Sequence, residues 1–375
     1  MGYVAVTGGE QAIAASLDLN ELRRVEAGRS VAVEDILATM PDLVNQVQSE
    51  GSLWAPEIAA VAIKQACGSI EEAVFLMRAY RSTLERLYTS RVVDTDGMRA
   101  GRRISAAFKD IEGGQILGAT RDYSHRLIEF ELADETVSDA RERAREIRSR
   151  LSAPADADAA ALLDRVPRVL TYLRSIDMVR DWPVDDTEPV DITKTPLSFP
   201  APRSVILQAL SRGLTQAVVA IGYAAIRGFG LSHPTVGELR RGTVAIEIDA
   251  LGASEDAAED AYYLGSIPVT EVESLIVSDE EDGDGGHRSA LDVGYGLVMG
   301  DDESKAIAMS VLDHSLRADD VRFPTQDQEF VLYHIDGVEA TGFISHLKLP
   351  HYVTFQSKLD SALRSAAEKG GEADA

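Results

Sequence analysis

The sequence predicts an α+β protein, with a mainly helical N-terminal half and a mixed sheet-containing C-terminal half. Two observations carry this. Between residues 10 and 90 apolar residues recur at three- and four-residue spacing, the period of a helix with one buried face. From residue 243 to 299 strand-like runs rich in β-branched and aromatic residues take over. A chain of 375 residues with 45% hydrophobic content has room for two domains, or one large domain with insertions.

Taken in order, residues 3–7 alternate like a short strand, and Gly8 and Gly9 open a helix over 10–26. A strand, a diglycine turn and a helix N-terminus can hold an anion on free backbone amides, or can simply be a tight turn. Three helices follow over 33–48, 55–66 and 70–89. Cys67, at the end of the second, reads as a small buried apolar thiol. Glycines at 97, 101, 113, 114 and 118 break the pattern, and 127–132 alternates as a strand. Residues 134–160 are charged and alanine-rich, an exposed helix and linker, and 183–202 form a proline-rich second connector.

Beyond it come an apolar helix at 204–227 and strands at 243–250, 262–277 and 294–299, with an acidic, glycine-rich loop at 279–287. A helix at 303–316, a strand at 329–335 and a closing helix at 351–368 complete the chain. The division that follows is a helical region with a short strand (1–133), a connector (134–202), an α+β domain (203–368) and a disordered tail (369–375).

Composition excludes several classes. The net charge of −25 disfavours nonspecific nucleic-acid binding. No run reaches the roughly 18 to 20 apolar residues that span a bilayer, and the N-terminus lacks a basic, then hydrophobic, leader. The expected location is the cytoplasm. A single cysteine excludes an internal disulfide and an iron–sulfur cluster held wholly by this chain. Of the 37 basic residues only seven are lysine, and acid excess with scarce lysine fits a halophilic source.

Three constellations can carry chemistry. His346 and His351 flank Pro350. On one continuous helix they would point about 140° apart, but the proline ends a helix running through His346 and suits the first turn of another. Two imidazoles across such a corner can converge on zinc, half of a tetrahedral site, or can be two polar residues at a turn. Arg99, Arg102 and Arg103, at i, i+3 and i+4 spacing, share one face if helical and suit a phosphate-rich ligand, or salt bridges to Asp96 and Asp110. His233 and Glu238 lie in a glycine-punctuated stretch, RGFGLSHPTVGELRRG, where function concentrates and where a His and a Glu can assist proton transfer. Asp327 and Glu329 are carboxylates that can serve a metal or a sugar ring, or simply be solvated. A self-contained zinc hydrolase needs a third ligand, and no HExxH motif is present.

Several segments together resemble the PhnI family of the bacterial carbon–phosphorus lyase core complex. They are YVAVTGGEQAI (3–13), LMRAYRSTL (76–84), DTDGMRAGRRISAAFKDIEGGQILG (94–118), DYSHRL (122–127), DITKTP (191–196), RGFGLSHPTVGELRRG (227–242), YGLVMG (295–300) and QDQEFVLYHIDGVEATGFISHLKLPHYVTF (326–355). The resemblance implies a purine nucleosidase activity that, with companion subunits, replaces the adenine of ATP, supplied as MgATP, by an alkylphosphonate at ribose C1. The implied product is α-D-ribose 1-alkylphosphonate 5-triphosphate. It also implies self-association in a core complex, a separate radical iron–sulfur subunit that breaks the carbon–phosphorus bond, and zinc on His346 and His351 at the contact with that subunit. The roles of His233, Glu238 and the three arginines are not implied by it. The alternative expectation is a non-catalytic scaffold that completes the zinc site with the radical subunit.

Overall fold

Proline decides where two of the N-terminal helices begin. The computed structural model describes residues 9–151, 167–180, 187–229, 233–249, 261–281, 287–318 and 320–373, so the strand expected at 3–7 lies outside the described residues. After α1 (Gly9–Val25), which buries none of its residues, the helix expected over 33–48 is two, α2 (Val33–Thr39) and α3 (Pro41–Gly51). Pro41 disfavours a helical Met40 and supplies no amide to the preceding turn. Pro56 likewise opens α4 (Pro56–Gln65), and the Ser69 hydroxyl caps α5 (Ile70–Ser82). The last helix stops short of residue 89 because Leu84, Leu87 and Tyr88 face solvent and offer no face to bury. Ile36, Val47, Ile63, Val74 and Met77 form the small core these helices share. Cys67 is not buried: it sits past the end of α4 at φ 51°, exposed.

The sheet has the order β1-β3-β4-β5-β2. Strands β1 (Arg99–Ile104), β3 (Thr235–Asp249), β4 (Ala261–Glu281) and β5 (His287–Met299) pair antiparallel; β2 (Val179–Arg180) pairs parallel to β5. The α+β reading holds, and the sheet is mixed. It also draws β1 from the region before residue 133, so the long strands of the C-terminal half continue onto an N-terminal edge.

One face of the sheet is apolar. Leu239, Val272 and Val298 pack against α8 (Arg203–Arg212), α9 (Thr215–Tyr223), α10 (Glu303–Ser315) and α11 (Gln328–His334). The earlier helices α6 (Val137–Leu151) and α7 (Thr171–Ser175) lie outside this core. Helix α10 rides directly on β5: a Cβ on Gly294 or Gly296 would stand 2.0 Å from the Ser310 or Ala306 carbonyl oxygen. The apolar stretch 204–227 is bent by 116° between α8 and α9, and no single described helix is long and apolar enough to cross a membrane.

Two expected strands are absent. Phe130 and Leu132 are exposed and enter a 3-10 turn (Phe130–Asp134), because the alternating stretch 127–132 meets no strand edge to pair with. Residues 329–335 are helical: the Asp327 side chain accepts from the Phe330 amide, and Val331, Leu332 and Ile335 are buried at helical spacing. Helix α12 (Gly337–His346) follows, and α13 (Tyr352–Ala373) runs through most of the tail expected to be disordered; residues 374–375 lie outside the description.

Candidate functional site

Arg99, Arg102 and Arg103 lie on strand β1, not on a helix, so neighbouring side chains alternate between faces. Arg99 is exposed. Arg102, 1% exposed, turns toward α10: it donates to Asp122 (2.6 Å), lies 2.8 Å from Glu303 and donates to the Leu117 carbonyl. Arg103, equally buried, points the other way and donates to Glu238 (2.6 Å) and to the Glu112 and Pro167 carbonyls. The structure does not bring the three onto one face, and two have their forks filled from within the chain.

Glu238 is the partner of Arg103. Its other oxygen accepts the Val169 amide at 3.0 Å, and the side chain is 2% exposed on β3, not in an open loop. His233 is exposed, with Nδ1 against the Pro234 carbonyl (2.9 Å). Five residues of nearly extended chain put the two Cα atoms roughly 15 Å apart, so they do not form one acid–base pair. Asp327 is used as a helix cap, and Glu329 is exposed.

The two histidines stand on either side of a corner in the chain. Helix α12 ends at His346, the Leu349 amide closes the turn onto the His346 carbonyl at 2.9 Å, and the His351 carbonyl accepts the Phe355 amide at 2.9 Å to start α13. The ring centres stand 5.5 Å apart with planes at 62°. Two imidazoles on one tetrahedral zinc, each nitrogen at about 2.1 Å, have centres roughly 5 Å apart. His346 turns Nδ1 to the Phe343 carbonyl and His351 turns Nδ1 to the Leu349 carbonyl. A proton held there leaves each Nε2 lone pair for a cation, the usual outer-sphere arrangement of a metal-binding histidine. The spacing suits two of the four positions around a tetrahedral zinc. No group of three His, Cys, Asp or Glu able to hold a metal occurs among the described residues. Around the pair Phe343, Ile344, Leu347, Leu349, Tyr352 and Val353 are all more than half exposed.

Sequence reasoning missed the charged face of the sheet. Glu271 and Glu273, buried on β4, meet Arg240, Arg168 and Arg174, while Tyr295 donates to Glu271 at 2.8 Å. Burial opposes the Glu271 charge, but Arg240 and Arg168 outweigh it and hold the carboxyl below its ordinary range. Burial and Glu271 push Tyr295 far up. The signal was present: Glu271 and Glu273 alternate with Thr270, Val272 and Ser274, the period of a strand with one charged and one core-facing side.

Comparison with known proteins adds the lineage. Residues 2–369 match the family described as "Bacterial phosphonate metabolism protein (PhnI)". HtxH of Stutzerimonas stutzeri is 42% identical, over 98% of this chain and 97% of its own. The "Alpha-D-ribose 1-methylphosphonate 5-triphosphate synthase subunit PhnI" of Escherichia coli (strain K12) is 40% identical over 98% of this chain and 99% of its own. The like-named subunit of Rhizobium meliloti (strain 1021) is 39% identical over 99% and 98%. The chain belongs to the PhnI family.

Proposed function

We propose that this PhnI-family chain is a nucleosidase-type subunit of a carbon–phosphorus lyase complex, helping an alkylphosphonate displace adenine from ATP to give α-D-ribose 1-alkylphosphonate 5-triphosphate. What supports it is membership of a family in which two relatives, 40% and 39% identical, are named as synthase subunits for α-D-ribose 1-methylphosphonate 5-triphosphate. The step is a displacement at ribose C1. The glycosidic bond loosens toward an oxocarbenium-like state, a phosphonate oxygen attacks C1, and the departing purine takes up a proton. Glu238 is held by Arg103 and the Val169 amide and is poorly disposed to supply that proton; exposed His233 is free to approach a partner or a substrate.

The observation that carries the complex-bound part of this reading is the exposed histidine corner. His346 and His351 would hold zinc, which supplies charge neutralisation and a fixed geometry at the site. The rest of the coordination sphere would come from a companion subunit docked on the apolar rim around Phe343, Leu347 and Tyr352, the radical iron–sulfur subunit being the expected one. A second reading, a scaffold without catalysis of its own, is favoured by the internal pairing of Arg102, Arg103 and Glu238.

Incubating the purified chain with ATP or GTP and resolving free base by chromatography separates the two. Base release supports the nucleosidase. Release only by the assembled complex favours the scaffold, and no adenine from the complex given MgATP and methylphosphonate overturns both. Replacing His346 and His351 together by alanine should remove zinc from the assembled complex; unchanged metal content would refute the ligand assignment.

A further inference from the structure

Helix α6 starts on a cap made by its own residues. The Asp139 amide donates to the Thr136 hydroxyl at 3.3 Å and the Asp139 carboxylate accepts the Thr136 amide at 2.9 Å, a reciprocal pair that satisfies the first turn. Beyond the cap the helix has no tertiary support, since none of its 15 residues is buried. A helix of that length draws most of its stability in water from a packed apolar face.

The sequence supplies such a face. Val137, Ala140, Ala144, Ile147 and Leu151 follow a three-four spacing, which at 100° per residue gathers all five within about 80° of arc. Val137 and Leu151 are 67% and 77% exposed. The segment leading into the helix is apolar as well, with Leu127, Ile128, Phe130 and Leu132 each more than half exposed.

Charges are sorted around this seam. If the five apolar residues are the a and d positions of a heptad, the flanking e and g positions are Arg141, Arg143, Arg148 and Arg150, arginine at every one and all exposed. The carboxylates Asp139, Glu142 and Glu146 fall on the back of the helix. The only described contact across the two sets is an exposed one, Arg143 to Glu146 at 3.6 Å. A cationic border thus frames an apolar strip in a chain whose net charge is −25.

That border selects the occupant. Two copies of α6 laid seam to seam would set arginine against arginine in either orientation, which repels. An anionic bilayer is a poor match too: two of the five seam residues are alanine, none is aromatic, and the acidic remainder of the chain is repelled by such a surface. We propose that α6 is a docking helix for an acid-flanked amphipathic helix on a different polypeptide. The partner's apolar strip covers Val137, Ile147 and Leu151, and its Glu or Asp side chains pair with the arginines on both flanks. This docking is independent of the nucleotide chemistry above.

The test titrates the full chain against two fluorescein-labelled helical peptides sharing a leucine seam, one with glutamate and one with lysine at every e and g position, and reads anisotropy. Net charge alone draws the lysine peptide, so the two expectations run in opposite order. The glutamate peptide should bind at least tenfold more tightly in 0.05 M sodium chloride, and the gap should narrow in 0.5 M. Replacing Arg141, Arg143, Arg148 and Arg150 together by glutamine, which keeps helix propensity, should erase the preference. Ile147→Asp should weaken the glutamate peptide at least tenfold. Equal affinities, tighter binding of the lysine peptide, a preference that survives the glutamine variant, or no saturable binding of either peptide overturns the proposal. Sedimentation would overturn it in two further ways: self-association that Ile147→Asp abolishes assigns the seam to a second copy, and pelleting with phosphatidylserine vesicles that the glutamine variant loses assigns it to a membrane surface.

Discussion

Lys305 has an ammonium wholly enclosed by protein, with the Ser49 hydroxyl at 3.4 Å as its hydrogen-bond partner. Burial lowers its pKa from 10.5 to about 8, against the pull of Glu50 and Asp302. Between those values the unfolded chain keeps the proton and the folded chain does not, so stability rises with pH from 8 to 10.5. Below pH 8 both states are protonated and the full penalty, about 3 kcal/mol, is present. Lys305→Met should remove that penalty at pH 7 and flatten the slope. The measurement is the difference in urea midpoint between variant and parent from pH 7 to 10.5, and a difference that does not change with pH would overturn it. The histidine corner could be read because its geometry is local, set by one proline and two short turns. The arginines could not, because their spacing fits a helix face while β3 recruits them as a strand, and Glu238, 135 positions away, fills one fork. Long-range partners leave no local signature.

At the scale of elements the helices were legible where caps and prolines mark them, and strands were underestimated where buried ion pairs interrupt the apolar pattern. β3 was expected to begin at residue 243 yet starts at Thr235, because Glu238, Arg240 and Arg241 look like loop chemistry until β1 and β4 pair with them. Glycine marks the opposite case, an element placed by what is missing. Gly296 lets α10 lie on β5, and the nearest obstacle to a methyl group there is the Ala306 backbone oxygen, which cannot swing away as a side chain can. Gly296→Ala should therefore separate helix from strand and cost about 3 kcal/mol. Gly228→Ala, with no atom within 4 Å of its added carbon, should cost under about 1 kcal/mol. Equal denaturation midpoints for the two variants would show that the close approach is not what positions α10.

For the whole molecule the deciding quantity is a charge of −25. Arg103–Glu238 and Arg240–Glu271 are enclosed pairs that salt reaches poorly, whereas helices such as α1 and α6 bury nothing and keep their charges in water. Added salt thus acts mainly on the acidic excess. The screening length falls from about 10 Å at 0.1 M to about 3 Å at 1 M, which weakens repulsion between neighbouring carboxylates more than the attraction inside buried pairs. We expect the thermal midpoint to rise steadily from 0.05 to 2 M sodium chloride, with the steepest gain at the low end. A sucrose series matched in water activity should give a smaller rise, since it strengthens burial without screening charge. Stability that is flat in salt, or that falls, would mean the acidic surface is not a strain on the fold and would remove the halophilic interpretation of the composition.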